Sequence, residues 1–194
     1  MLTVSEIVRS VYGVWRLAGF DAIGMEWLDR SAEGFWRSFR VAILLAPVEI
    51  VTMAIHLTAI PNIEPFAFIL ITATIAYVIS WTVYPVLSHP LIAALGRSER
   101  YAGYITAINW SQVLLSAVVL ALTLLDFVMP AVVTDLFRLA FFIGWGVYHW
   151  FITRTALDLD IGPSIGLTLM EMVLIITTAQ VTMSMIIAAP PAAG

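Results

Sequence analysis

Residues 102–126 read AGYITAINWSQVLLSAVVLALTLLD, a run without a charged side chain before Asp126. A helix needs about 20 predominantly apolar residues to cross the ~30 Å hydrocarbon layer of a bilayer. Lipid offers no hydrogen bonds, so a crossing segment must satisfy its own backbone N–H and C=O groups, as an α-helix does. The stretch therefore predicts a transmembrane helix.

Similar apolar stretches flank this one on both sides, separated by proline, glycine or charged residues. We expect an all-α, polytopic membrane helix bundle of about five transmembrane helices over residues 33–190. A cytoplasmic amphipathic arm over residues 1–32 precedes the bundle. The predicted spans are approximately 41–60, 65–88, 102–126, 133–154 and 164–188.

The composition supports the membrane assignment. Hydrophobic residues make up 61% of the chain and charged residues 11%, whereas a soluble domain carries about 45–50% and about 25%. The mean hydropathy is +0.98. A chain this short cannot hide so much apolar surface from water, because small domains leave a large share of their surface exposed. The expected partner of this surface is the lipid bilayer.

The N-terminal arm combines an apolar helical face with charged residues. Residues 3–19 repeat apolar side chains at the spacing of one helical face, and Thr3 with Glu6 matches a capping box. We expect this interfacial helix to lie in the headgroup plane, with Trp15 and Arg16 at the boundary. The alternative is a helix packed on the cytoplasmic end of the bundle.

A second interfacial group directly precedes the first span. Residues 33–40 read EGFWRSFR, in which Trp36, Arg37 and Arg40 are side chains typical of membrane anchors. A secretory signal would place one basic cluster before a short apolar run and a small-residue cleavage site. The arm mixes acidic and basic side chains instead. We therefore expect it to be retained.

The arginines predict an orientation. They are concentrated in the N-terminal arm, in the second loop at Arg97 and Arg100, and at the start of the fourth loop at Arg154. The first loop and the C-terminal tail carry none, and Arg138 is the exception on the outer side. Cytoplasmic loops are enriched in Lys and Arg. We expect the N-terminus in the cytoplasm and the C-terminus on the periplasmic side.

Polar side chains inside the predicted spans are the candidate functional residues. A charge near the centre of a membrane helix costs at least about 2.5–3.5 kcal/mol, so each one needs a partner or a water-filled cavity. We also expect Asp126 and Arg138 to pair at the outer rim of the bundle. The candidates for an intramembrane polar network are Glu49, Asn109, Gln112, His149 and Glu171.

Two interpretations of this network are open. In the first, Glu49, His149 and Glu171 form a proton or cation path through the bundle. In the second, the polar groups hold the helices together, as interhelical hydrogen bonds commonly do in membranes. A protonated Glu49 would then bond to Asn109 or Gln112, and His149 would pair with Glu171. We favour the second interpretation.

Several kinds of site are not indicated by the sequence. The chain has no cysteine, which excludes thiolate chemistry and Cys-based metal sites. It contains no G-x-S-x-G, H-E-x-x-H, P-loop or G-x-G-x-x-G motif. His56, His89 and His149 fall at different depths, so we do not expect a bis-histidine haem. The net charge of −4 argues against nucleic-acid binding. We expect no enzyme active site, no metal and no cofactor.

Two stretches carry a family resemblance. Residues 97–112, RSERYAGYITAINWSQ, and residues 33–39, EGFWRSF, resemble Yip1-type membrane proteins, especially small uncharacterised proteobacterial members. The resemblance covers roughly residues 30–190. It implies a five-span, non-enzymatic protein of the bacterial inner membrane.

Three classes of function follow from these observations. The favoured one is a non-catalytic scaffold, assembly factor or accessory subunit, which contacts other membrane subunits or forms a homo-oligomer. The alternative is a small transporter or proton- or ion-conducting protein that uses Glu49 and Glu171. A third is an intramembrane enzyme acting on lipid or quinone, for which His89, Asp158 and Asp160 are scattered candidates. The two aspartates are more simply explained as a solvated helix terminus.

Overall fold

The computed structural model describes residues 2–58 and 66–188. The predicted end of the first span, the first loop and the predicted start of the second span at residue 65 lie outside the described residues. The described chain is helical, with short 3-10 turns at Ala22–Trp27 and Ser98–Arg100. The helices are α1 (Val4–Ala18), α2 (Ala32–Ser38), α3 (Arg40–Thr58), α4 (Phe66–Ala94), α5 (Tyr101–Leu125), α6 (Ala131–Leu157) and α7 (Ile161–Ile187).

Five helical segments in the described ranges are long and apolar enough to cross a membrane. The chain is therefore an all-α helical bundle with the character of a multi-pass membrane protein, as the apolar stretches predict. The segments are Ala32–Leu57, Ala67–Ala94, Ser98–Leu125, Ala131–Leu157 and Ile161–Ile187.

The apolar helical segment that contains the predicted first span begins before residue 41. Only Phe39 separates α2 from α3, and the two helices form one segment of sufficient length and hydropathy from Ala32 onward. The membrane boundary at residue 41 stays a prediction. Trp36 and Arg37 lie on α2, within this segment, and not in a separate collar.

Helix α4 extends beyond the predicted end of the second span. The sequence Ser88-His89-Pro90 predicts a stop or a kink, and α4 continues through Pro85 and Pro90 to Ala94. Each proline leaves the carbonyl four residues earlier without its helical N–H donor, and membrane helices tolerate such losses. In the same stretch the Tyr101 hydroxyl donates to the Pro85 carbonyl at 2.8 Å, and the Ser88 hydroxyl donates to the same oxygen at 3.3 Å.

Helix α5 is the centre of the bundle. It contacts α1, α2, α3 and α6, whereas α4 packs mainly on α7. Its inner half is almost entirely buried, and Tyr104 and Trp110 are among the largest fully buried side chains. The stretch that predicts the fold therefore also forms the core.

The N-terminal arm packs on the bundle. Val14 and Leu17 of α1 are completely buried, and the Tyr148 hydroxyl of α6 donates to the Val14 carbonyl at 2.9 Å. The opposite face leaves Val8 and Trp15 exposed, Trp15 at 66%. In the structure α1 therefore packs on the bundle, as in the second of the two predicted arrangements. A second apolar face of α1 remains exposed.

Local capping determines where the arm's helices begin. The Thr3 hydroxyl accepts from the Glu6 backbone N–H at 3.2 Å, which is half of the predicted capping box. The Ser31 hydroxyl accepts from Gly34 in the same way at 3.1 Å and starts α2. Such caps satisfy N–H groups that have no partner within the helix.

A candidate polar site inside the helix bundle

Three polar side chains from three helices meet in the core. His149 of α6 lies between Ser111 of α5 and Glu171 of α7. Its Nδ1 is 2.9 Å from Glu171 Oε1, and its Nε2 is 3.1 Å from Ser111 Oγ. The exposed fractions are 0% for His149, 0% for Ser111 and 1% for Glu171. The predicted His149–Glu171 contact is present, and Ser111 joins it.

The direction of these hydrogen bonds depends on the His149 tautomer. If the Ser111 hydroxyl donates to the Ile108 carbonyl at 2.7 Å, His149 Nε2 donates to Ser111, and an additional proton lies on Glu171 or on the ring. If Ser111 donates to Nε2 instead, Nδ1 donates to the Glu171 carboxylate.

The atoms Ser111 Oγ, His149 Nε2 and Nδ1, and Glu171 Oε1 follow the same order as in a hydrolase triad. In a triad the serine hydroxyl gives its proton to the histidine, whereas Ser111 Oγ also lies within hydrogen-bond distance of a backbone carbonyl of its own helix.

One carboxyl oxygen of Glu171 has no partner. Oε2 is buried and accepts no hydrogen bond from the described residues. An ionised carboxylate in an apolar core would strongly favour donors to both oxygens. Oε2 is therefore a hydrogen-bonding position inside the bundle that no described side chain fills.

A cluster of hydroxyl groups lies one turn closer to the inner end. The Tyr84 and Tyr104 hydroxyls contact each other, and Tyr104 is 3.2 Å from Thr153 Oγ1. Thr168 donates to the same Thr153 oxygen at 3.4 Å. Since Thr153 also donates to the His149 carbonyl at 2.8 Å, the cluster connects α4, α5, α6 and α7.

Glu49 does not join this site. The Ser116 hydroxyl donates to Glu49 Oε1 at 2.9 Å, whereas Asn109 donates to Ser38 Oγ at 2.8 Å. The predicted bond from Glu49 to Asn109 or Gln112 is therefore wrong. Glu49 lies further along α5, opposite Ser116.

The network is consequently two clusters on different faces of α5. Asn109 and Ser116, two turns apart, point to α2 and α3, while Ser111 points to α6. Gln112 is only half-buried and makes no hydrogen bond within the described ranges. A single path through Glu49, His149 and Glu171 is not built by these contacts.

The predicted rim pair is present at the outer end. Arg138 contacts the Asp126 carboxylate, and its Nη1 is 3.2 Å from Asp135 Oδ1. Arg138 also donates to Thr134 Oγ1 at 3.4 Å. These contacts neutralise the one arginine that departs from the charge asymmetry of the loops.

The predicted interfacial anchors have different roles. Trp36 is 71% exposed, as an anchor should be, and Arg40 is also exposed. Arg37 instead binds three carboxylates of the arm. Its guanidinium nitrogens lie 3.3 Å from Glu6, 2.5 Å from Asp29 and 3.2 Å from Glu33.

Arg16 likewise binds within the arm. Its Nε donates to Asp21 Oδ2 at 2.7 Å. The Arg16 guanidinium, and then the Ile23 backbone N–H, lower the pKa of the Asp21 carboxyl. The Asp21 carboxylate in turn raises the pKa of Arg16. Arg16 is therefore committed to closing the turn after α1.

The histidines are far apart in the fold. His149 is in the core, the His89 ring packs against Tyr101 at 4.9 Å between centroids, and His56 lies in the last turn of α3. Within residues 2–58 and 66–188, no three His, Asp or Glu side chains are grouped as a metal site would require.

Sequence reasoning identified the charged members of the site and missed the hydroxyls. Ser111, Ser116 and Thr153 were not predicted, because serine and threonine are common in membrane helices and often bond only to their own backbone. The spacing Asn109-x-Ser111 was the available signal. Polar residues two apart on a helix point to different neighbours.

Comparison with known proteins gives no match for this chain, whether with protein-family models, with curated proteins or with solved structures.

Proposed function

We propose that this chain is a multi-pass inner-membrane protein that acts through lateral helix–helix contacts, as a scaffold, assembly factor or accessory subunit. The polar groups of the core form hydrogen bonds within the bundle. A partner would therefore bind the outer surface of the bundle, and the outer face of α7 exposes polar side chains.

The outer half of α7 exposes a polar stripe. Thr177, Gln180 and Ser184 lie three and four residues apart, on one side of the helix, and all are exposed. Ser184 donates to the Val181 carbonyl of its own helix at 2.8 Å. Gln180 has no hydrogen-bond partner in the described part of the chain.

Gln180 is the observation that carries the proposal. A side-chain amide has two N–H donors and a carbonyl acceptor, and lipid tails satisfy none of them. Gln side chains in membrane helices bond across to neighbouring helices. The same face has glycine at 162 and 166, where an added Cβ would meet nothing within 4 Å. A second helix has room to approach there.

Purification in mild detergent, with the mass measured by light scattering, tests this function. We expect a homo-oligomer or a stoichiometric complex, and we expect Gln180→Leu to shift the population to the monomer. Thr74→Val is the matched control, since Thr74 is exposed on α4 and bonds only to its own helix. A partnerless wild-type monomer, or a Gln180→Leu protein that associates like wild type, would count against the proposal.

Proton or ion conduction is the second candidate. The buried His149–Glu171 pair, with its free carboxyl oxygen and the neighbouring hydroxyl groups, contains groups that can exchange a proton. Flux measured in vesicles with Glu171→Gln and Glu49→Gln variants decides this question. If the protein conducts protons or ions, Glu171→Gln should lose flux. If flux is unchanged by both variants, the two carboxylates have only a structural role.

The Yip1-type resemblance and the cytoplasmic location of the N-terminus remain predictions.

A further inference from the structure

Two cavities flank one stacked pair of side chains near the inner ends of α6 and α7. The first is an apolar groove of about 320 Å³ between the two helices. Phe142, Val147 and Trp150 line it from α6, and Ile165, Leu169 and Met172 line it from α7. Leu169 is 54% exposed, so the groove opens to the outside of the bundle.

The second cavity is polar and holds about 520 Å³. Arg97, Arg154, Asp158 and Asp160 contribute its charged groups. The Arg154 guanidinium lies 5.6 Å from the centroid of the Trp150 ring. Because Trp150 lines the apolar groove and Arg154 lines the polar pocket, the stacked pair marks the junction between them.

Two of the pocket's four charged groups are already paired, and one of each sign is free. Asp158 accepts an ion pair from Arg100 at 3.3 Å, and Arg97 donates to the Asp158 carbonyl at 2.8 Å. Arg154 and Asp160 form no ion pair with the described residues. Asp160 is the N-cap residue of α7, but its side chain accepts no hydrogen bond from the first backbone N–H groups of this helix.

The junction itself carries a buried donor. The indole N–H of Trp150 is shielded from the surroundings and has no acceptor among the described residues. A buried indole N–H usually finds a partner. The Trp150 N–H is therefore left unpaired at the junction of the apolar groove and the charged pocket.

We propose that the two cavities together bind one phospholipid whose headgroup ends in a primary ammonium, as in phosphatidylethanolamine. The acyl chain occupies the α6–α7 groove. The phosphate lies at Arg154, which stacks on Trp150 of the groove, and the ammonium lies at Asp160 in the same polar pocket.

The charge balance selects this headgroup. Phosphatidylglycerol offers the phosphate to Arg154, but its glycerol hydroxyls bring the Asp160 carboxylate only neutral donors and no positive charge. Phosphatidylcholine has a quaternary ammonium without an N–H, which cannot donate the charge-assisted hydrogen bond that a carboxylate prefers. Only the primary ammonium supplies both an opposite charge and donors.

Native mass spectrometry of the full chain, released from nanodiscs of stated composition, tests the proposal. The nanodiscs contain equal parts of phosphatidylethanolamine, phosphatidylglycerol and phosphatidylcholine. We expect one retained phosphatidylethanolamine per chain, about tenfold over the other two lipids, which corresponds to about 1.4 kcal/mol. Equal retention of the three lipids would overturn the proposal.

Variants separate the parts of the site. Asp160→Asn should reduce phosphatidylethanolamine to the level of phosphatidylcholine, and Arg154→Gln should weaken the retention of all three lipids, since each carries the phosphate. Leu169→Trp should fill the groove and expel all three lipids. Retention of the wild-type preference by Asp160→Asn contradicts the proposed ammonium contact.

Matched controls test whether any loss is specific. Glu99→Gln removes an exposed carboxylate from the second loop, and Arg40→Gln removes an exposed arginine from α3, both outside the pocket lining. Both should keep the wild-type preference, and a loss in either would assign the effect to net charge. Soluble phosphoethanolamine, which has the headgroup without the acyl chains, provides the last test. If it occupies the pocket as well as the lipid does at the same concentration, the groove contributes nothing and the lipid assignment fails.

Discussion

The His149–Glu171 pair is the contact whose loss we expect to cost most at the scale of single residues. Both side chains are buried, and removing one partner of a buried ion pair typically costs about 3–5 kcal/mol, because the other charge is left uncompensated. If Glu171 carries a proton, the prediction is more specific. Its carboxyl can then be replaced by an amide of the same shape without leaving a charge behind.

For a protonated Glu171 we expect Glu171→Gln to unfold at a denaturant concentration close to that of wild type, whereas Glu171→Ala loses about 1–3 kcal/mol, because the polar atom of His149 is left unsatisfied. Unfolding in mixed micelles, followed by tryptophan fluorescence, measures both. The glutamine side chain can donate to His149 Nδ1 while Nε2 still donates to Ser111. Equal destabilisation by the two substitutions would show that Glu171 is ionised in the fold.

The carboxylates of the arm predict a response to acid. The Arg16 guanidinium holds the pKa of Asp21 below its ordinary value of 3.8. The Ser31 hydroxyl, and then Arg37, do the same for Asp29. A depressed folded pKa contributes stability above the ordinary value and loses it as the pH falls through the folded value.

We expect the arm to loosen as the pH falls from about 5 to about 3. The chain has no cysteine, so a spin label on Ile23→Cys reports the mobility of the turn. Asp21→Asn should be mobile already at neutral pH and should respond less to acid. Glu99→Gln, in a distant loop, should keep the wild-type profile. A label whose mobility is the same in wild type and Asp21→Asn would refute this role of Asp21.

At the scale of elements, the arm is a hairpin closed by two glycines. A Cβ on Gly13 of α1 would lie 2.8 Å from the Gly24 carbonyl oxygen and 2.9 Å from Trp27 Cβ. Both distances are below ordinary contact, and both involve atoms that cannot rotate away. Glycine at position 13 therefore allows the 3-10 turn to pack directly on α1.

We expect Gly13→Ala to destabilise the arm by about 1–3 kcal/mol, as overpacking does. Gly144→Ala on α6 is the control, since an added Cβ there meets nothing within 4 Å. That change should be neutral or stabilising by up to about 1 kcal/mol, because alanine is the better helix former. Hydrogen exchange of residues 4–27 distinguishes the two. Unchanged exchange in Gly13→Ala would mean that the hairpin can open without cost.

At the scale of the whole molecule, the two ends of the bundle differ in charge. Arg97 and Arg100 meet Asp158 at one end, and the arm packs toward the same end, where Arg30 lies against Gly103. Arg138 is already paired at the other end. The positive-inside rule then predicts that the arm faces the cytoplasm.

Single cysteines at Ser98 and Val128 test this orientation in the cysteine-free chain. We expect a membrane-impermeant maleimide to label position 98 only from the cytoplasmic side and position 128 only from the opposite side. Both positions are exposed and outside the long helices. Labelling of both from one side would contradict the five-span topology.

Hydrophobicity and length were sufficient to predict the number of spans. An apolar run such as residues 102–126 has only one way to satisfy its backbone in lipid, and this does not depend on its neighbours. The charged partners His149–Glu171 and Asp126–Arg138 were also predictable, because an unpaired charge at these depths is costly. These properties belong to the sequence by itself.

Only the tertiary structure decided how the helices are aligned. Glu49 meets Ser116, whereas Asn109 meets Ser38, and this register is set by the packing of α3 on α5. The face of α1 that packs is likewise chosen by the close approach at Gly13. Register and rotation follow from contacts between side chains distant in sequence, and hydropathy contains no information about those contacts.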